Sequence, residues 1–222
     1  MSYRWLIFLL GLSTGLGFRV DKEAIPMSQA IEGVSTAGIS FEVAARVQGE
    51  QLQVGYRFKN DRQQSVFLFN VLWDTNARGD IVAAPSPVYV SLPQQAILRL
   101  SQQVPPLPKG KRVERRIVPF ATKVPPGEAA SKIYTLALPL QEYNPYFPAE
   151  DGAPEELITA RELVFTLQFV VRMDGMDIRE APLSGALELF HPQLLARVET
   201  IQCHPQPLEV RVRRRLNKFE EF

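Results

Sequence analysis

The sequence predicts an all-β protein, an antiparallel β-sandwich of about nine or ten strands with little helix. Three observations predict it. Apolar and polar residues alternate over several runs, as in half-buried strands. The 18 prolines and 13 glycines punctuate those runs, as turn residues do. No segment keeps a helical period, and Pro192 and Pro205 interrupt the C-terminal part at intervals too short for a long helix.

The first strand starts at Ile39. Ile39, Phe41, Val43, Ala45 and Val47 point one way, Ser40, Glu42 and Arg46 the other. After Gly49-Glu50 the alternation resumes with Leu52, Val54, Tyr56 and Phe58 against Gln51, Gln53, Arg57 and Lys59, which reads as a hairpin. Residues 66–73 are apolar at both parities, so both faces of that strand should be covered, as in a central strand. The stretch 74–80 is turn-forming. Shorter strands are expected at 88–92 and 96–101, then at 112–124, where the internal Pro119 implies an edge or a bulge.

Past Pro125-Pro126-Gly127-Glu128, the residues Tyr134, Leu136, Leu138 and Leu140 alternate. An irregular loop over 141–160 follows, aromatic first and acidic second, with room for one short helix at 154–159. The clearest strand comes next: Leu163, Phe165, Leu167, Phe169, Val171 and Met173 inward, Glu162, Thr166, Gln168 and Arg172 outward, closed by Asp174-Gly175. Strands near 185–190 and 196–203 lead to a last one carrying Leu208, Val210, Val212 and Leu216. Such a series of strands, with turns and no intervening helices, fits an immunoglobulin-like sandwich. The stretch Leu52-x-Val54-x-Tyr56-x-Phe58-x-Asn60-Asp61 resembles a strand and turn of bacterial immunoglobulin-like modules; the resemblance implies a fold and no function.

Composition sets the outer bounds. With 45% apolar and 22% charged residues among 222, the chain is of ordinary globular type, read as one domain over 27–216 with a tail at 217–222. Basic and acidic residues nearly cancel, 25 against 24, so bulk charge argues against nucleic acid as a partner. A single cysteine, Cys203, excludes an internal disulfide and a multi-cysteine zinc site, and no metal or cofactor is expected.

The N-terminal residues bear on compartment. Arg4 precedes the apolar run 5–12, with small residues Ser13, Gly15 and Gly17 after it, the pattern of a secretory signal. The run is shorter than the roughly 20 residues a membrane-spanning helix needs, so segment 1–26 reads as a cleaved signal of an exported, bacterial protein. The competing reading starts translation at Met27, because Lys22-Glu23 admits codons that spell a ribosome-binding sequence; the protein would then be cytoplasmic.

Candidate sites are few. Cys203-His204 offers a thiol beside an imidazole, yet adjacent strand residues point to opposite faces; a thiol or hydrolytic enzyme would need Cys203 or His191 to meet an acid from 150–156. Residues 74–80 imitate a calcium loop, but Arg78 stands where a ligand belongs and no glutamate closes it; Arg78-Gly79-Asp80 is explained by a turn. Tyr143, Tyr146 and Phe147 in a proline-bounded loop are candidates to hold a protein or a sugar ring, or else to fold back and cap the core. Arg211, Arg213 and Arg215 share one face of the last strand, suited to an acidic partner or to keeping a sheet edge unpaired. The expectation is a non-catalytic binding or assembly module for another protein, acting through that loop, those arginines or an unpaired sheet edge, with carbohydrate binding as an alternative.

Overall fold

The computed structural model describes residues 31–92, 97–107, 113, 116–147 and 154–216. The signal-like segment 1–26, Met27 and the tail 217–222 lie outside them. The described strands are β1 (Ile31–Thr36), β2 (Ile39–Gln48), β3 (Gln51–Asn60), β4 (Val66–Val71), β5 (Trp73–Thr75), β6 (Ile81–Ala83), β7 (Tyr89–Ser91) and β8 (Ile97–Gln102). They continue with β9 (Phe120–Val124), β10 (Ala129–Ala137), β11 (Leu140–Gln141), β12 (Glu155–Val171), β13 (Asp177–Glu180), β14 (Leu187–Phe190), β15 (Glu199–Gln202) and β16 (Gln206–Arg215). The all-β sandwich expected from the alternation is observed, in more and shorter strands than the nine or ten expected. Among the described residues no helix is long and apolar enough to cross a membrane.

One sheet runs β1-β2-β3-β10 and the larger one β11-β16-β12-β4-β9-β14-β13; β8 and β15 also pair with β12, β7 pairs with β8, and β5–β6 forms a separate hairpin. Two pairings, β8 with β12 and β11 with β16, are parallel and depart from an all-antiparallel plan. The 17-residue β12 is the seam. Its first half lies against β16, with a register shift between Ala160 and Glu162; beyond it β15 and β4 take over.

Period-two alternation explains the core. Phe41 and Tyr56 of the smaller sheet meet Phe165 of the larger at ring distances of 6.2 and 5.6 Å, and Phe58 meets Phe169 edge-on at 5.3 Å, a favoured aromatic geometry. The two-sided apolar run behaves as expected. Val66 and Leu68 of β4 enter this inter-sheet core, while Phe67 and Phe69 enter a second cluster with Val170, Met176, Leu189 and Leu194 on the other face. The hairpin β2–β3 turns at Gly49-Glu50, with Gln48 opposite Gln51. Gly49 has φ +58°, a backbone state that glycine takes without steric cost.

Several expectations are corrected. The helix expected at 154–159 is instead the start of β12, because this segment pairs residue by residue with β16, Glu155 opposite Arg215 through Ala160 opposite Val210, and the ladder satisfies its backbone groups. Of the strand expected over 112–124, residues 112, 114 and 115 lie outside the described residues and the strand begins at Phe120, directly after Pro119. It is no edge, since β9 lies between β4 and β14, but its pairing with β4 carries the alternative, a register shift between Leu68 and Val71. Val47, expected inward, is 41% exposed. Leu138 and Leu140 do not continue β10, which ends at Ala137 before a cis Leu138-Pro139 bond. Residues 194–197 form a 3₁₀ turn, so the strand expected from 196 starts at Glu199. The first strand is not the one at Ile39, because β1 precedes it and pairs with it, and β1, β6 and β13 have no counterpart among the expected strands.

One end of the sandwich is closed by Asn60. Its side-chain amide donates to the carbonyls of Gln64, Val124 and Pro125 at 2.9, 3.0 and 3.1 Å, and its Oδ1 accepts the Arg62 N–H at 3.1 Å. The residue is fully buried, so its own amide and the Val124 carbonyl it reaches would otherwise lack a partner. Replacing Asn60 by Ala is expected to cost about 2 kcal/mol, and by the near-isosteric Asp more, because a carboxylate would face three carbonyl oxygens. Urea-unfolding midpoints of the two variants check the order.

Candidate functional site

The aromatic loop folds back on the sandwich. β11 lays Gln141 beside Arg213 of β16, and Tyr143 and Val90 exchange backbone hydrogen bonds at 2.9 and 3.1 Å. The buried Glu142 carboxylate accepts the Leu92 N–H at 3.0 Å and the Arg215 N–H at 2.9 Å. Arg215 returns its guanidinium to the carbonyls of Glu142 and Phe147. Tyr143, Tyr146 and Phe147 are thereby half-buried. Tyr143 stacks at a tilt 5.7 Å from Tyr89, and the Tyr146 hydroxyl accepts the Ile117 N–H at 3.0 Å. Burial pushes the Tyr143 hydroxyl up to about 12. Tyr143 packs against the inter-sheet core, and Arg215 holds the loop through the carbonyls on either side.

The remaining arginines divide. Arg211 and Arg213 are exposed, with Arg213 3.7 Å from Glu155 across the ladder. Their strand is not an edge along its whole length, since β11 flanks it at Val212 and Arg213. An exposed, solvent-screened pair of this kind contributes little.

The thiol and the histidines stand apart. Cys203 is 4% exposed, in the inter-sheet core. Its Sγ accepts the Phe165 N–H at 3.1 Å, and burial pushes its pKa up, which withholds the reactive thiolate. His204 is exposed. His191 instead borders a shallow cleft with Arg172, Asp174, Arg197 and Glu199, and its Nδ1 accepts the Gln193 N–H at 3.1 Å. Glu199 is engaged by Arg62 in a two-pronged pair at 2.6 and 2.7 Å. Of the acids named for an enzymatic site, Glu155 binds Gln141 and Arg213, and 150–153 lie outside the described residues. Among the described residues no group of three His, Cys, Asp or Glu is placed to hold a metal. The calcium-like stretch is a turn closed by Asn76, whose Oδ1 accepts the N–H groups of Arg78 and Asp80 at 2.9 and 3.0 Å.

The feature that single-residue reading missed is β10. It pairs with β3 over nine residues without a bulge, Ala129 opposite Lys59 through Ala137 opposite Gln51. On its other side no strand lies among the described residues. Ala129, Ser131, Ile133, Thr135 and Ala137 face outward and are exposed, Ile133 at 50%. Ala130, Lys132, Tyr134 and Leu136 face the core side. The Tyr134 hydroxyl accepts from the Gln102 amide at 2.7 Å; Lys132 has no ion pair or hydrogen bond among the described residues, and burial lowers its pKa. The alternation of small neutral residues against a lone lysine was the available signal.

The other sheet edges are blunted, as natural edges usually are. β1 has a register shift between Ile31 and Val34, β13 is four residues long, and β16 carries Pro207 and the arginines. No family model matches the chain, and no curated protein or solved structure matches it significantly, so function is read from this geometry. The Cys203 environment predicts no labelling by a disulfide reagent at neutral pH in the native protein and complete labelling in urea; rapid native labelling would contradict the buried thiol.

Proposed function

We propose that the chain is a non-catalytic β-sandwich module that binds or assembles another protein by accepting an extended segment at β10. The observation that carries the reading is the nine-residue, bulge-free edge, which leaves a row of main-chain donors and acceptors for an added strand. A free row of this length is the kind of edge that natural sheets cover or break. Retaining it is costly unless it is used. The pinned aromatic loop and Arg215 give less support to docking there, and half-buried rings give less support to a sugar platform. The signal-like residues 4–12 support an exported, bacterial setting.

A photo-cross-linking amino acid placed at Ile133, Tyr146 or Arg211 in the full chain, in its native host, separates the candidate surfaces. Adducts to another protein are expected from position 133. Adducts from 146 or 211 with none from 133 would contradict strand addition at β10.

A further inference from the structure

We propose that β10 selects an extended segment of a different protein that carries an acidic side chain at the inward position opposite Lys132, and that Lys132 keeps two copies of this chain from joining edge to edge. The inference rests on the strand-addition reading. Its basis is the placement of one lysine. On β10 the outward face is uncharged, while the core-side positions are Ala130, Lys132, Tyr134 and Leu136, so a strand added beside β10 extends the inner face past an ammonium group.

In the free protein that ammonium stays reachable by water, because β10 is the last strand of its sheet and a lysine stem lets its charge reach solvent. An added strand removes that escape. The side chain directly opposite lies roughly 5 Å away between Cβ atoms, and an unpaired charge enclosed there is disfavoured. Among the described residues nothing compensates it: Lys132 has no carboxylate partner there, and desolvation already depresses its pKa. A carboxylate on the incoming segment supplies the missing partner. An apolar residue leaves the charge unpaired, and a lysine adds repulsion.

Self-pairing meets the same obstacle. Full-length two-fold pairing of two β10 strands is centred on Ile133. It sets Lys132 opposite the second copy's Tyr134 and diagonal to the second copy's Lys132, within reach of long side chains. An inward-pointing charge on an edge is a known guard against such association. The same residue thus discriminates between partners and excludes the chain itself.

The test uses three labelled nine-residue peptides of alternating Thr and Val, written to pair antiparallel with β10, with Glu, Gln or Lys at the sixth residue, opposite Lys132. Binding to the full chain is read by fluorescence anisotropy. The Glu peptide is expected to bind about tenfold more tightly than the Lys peptide, with Gln between. Lys132→Glu is expected to invert the order. Lys132→Met is expected to erase it and to give a concentration-dependent dimer in sedimentation velocity. Equal affinities for the three peptides, or an order unchanged by Lys132→Glu, would overturn the acidic selection while leaving strand addition standing. Failure of all three to bind either protein, together with no adduct from position 133, would overturn both.

Discussion

Nine consecutive backbone pairings hold β10 to β3 and leave its opposite row of N–H and C=O groups without a strand. The proposed strand addition follows from that asymmetry. A backbone polar group kept from both water and a partner is costly, so a sheet is stable from its centre outward and reactive at its margin. β3 is flanked by β2 and β10, and β12 by β16, β15, β8 and β4. These interior strands have no pairing capacity to offer. β10 has, and it is free of register shifts, uncharged on its outer face and nine residues long.

The core beneath this margin is built to keep it in place. Asn70 sits where β4 slips in register against β9, between Leu68 and Val71. Its side chain is thereby free to donate to Tyr56 at 2.9 Å and to accept from Thr122 at 2.8 Å. Gln102 reaches from β8 to the Asn70 carbonyl, the Pro87 carbonyl and Tyr134 on β10. This buried polar set ties the smaller sheet's last strand to the larger sheet, where apolar contacts alone would leave its position looser. Burial pushes the Tyr56 hydroxyl up to about 12 and the Tyr134 hydroxyl further up, so both remain protonated donors at neutral pH. Tyr56 thus serves two purposes, ring packing against Phe41 and Phe165 and polar coupling across the sandwich.

What the sequence disclosed, and what it concealed, divides along local and long-range causes. The two-sided burial of Val66 to Phe69, the β2–β3 hairpin and the inward set Phe165, Leu167 and Phe169 were legible, because periodicity encodes them within a few residues. Residues 154–159 were not. Pro154-Glu155-Glu156 looks like a helix start, and only pairing with the backbone of β16, some sixty positions away, makes it a strand. Pro119 marked a strand boundary, but the neighbours of β9 depend on the whole sheet order. The aromatic loop was recognised as either a binding surface or a cap; the contacts of Glu142 and Arg215 that hold it half-buried are ones no spacing rule encodes. Lys132 carried no signal alone. It acquires meaning only once β10 is known to be an edge and position 132 to face inward.

Strand addition therefore requires the outer row of β10 to be open in the full-length protein. Amide hydrogen exchange of the intact chain, followed residue by residue, measures this directly. Alternate amides of β10, those directed away from β3, are expected to exchange orders of magnitude faster than the amides of β3, and to become protected when the cross-linked partner is bound. Uniform slow exchange along β10 in the free protein would mean the edge is already covered, and would contradict the account.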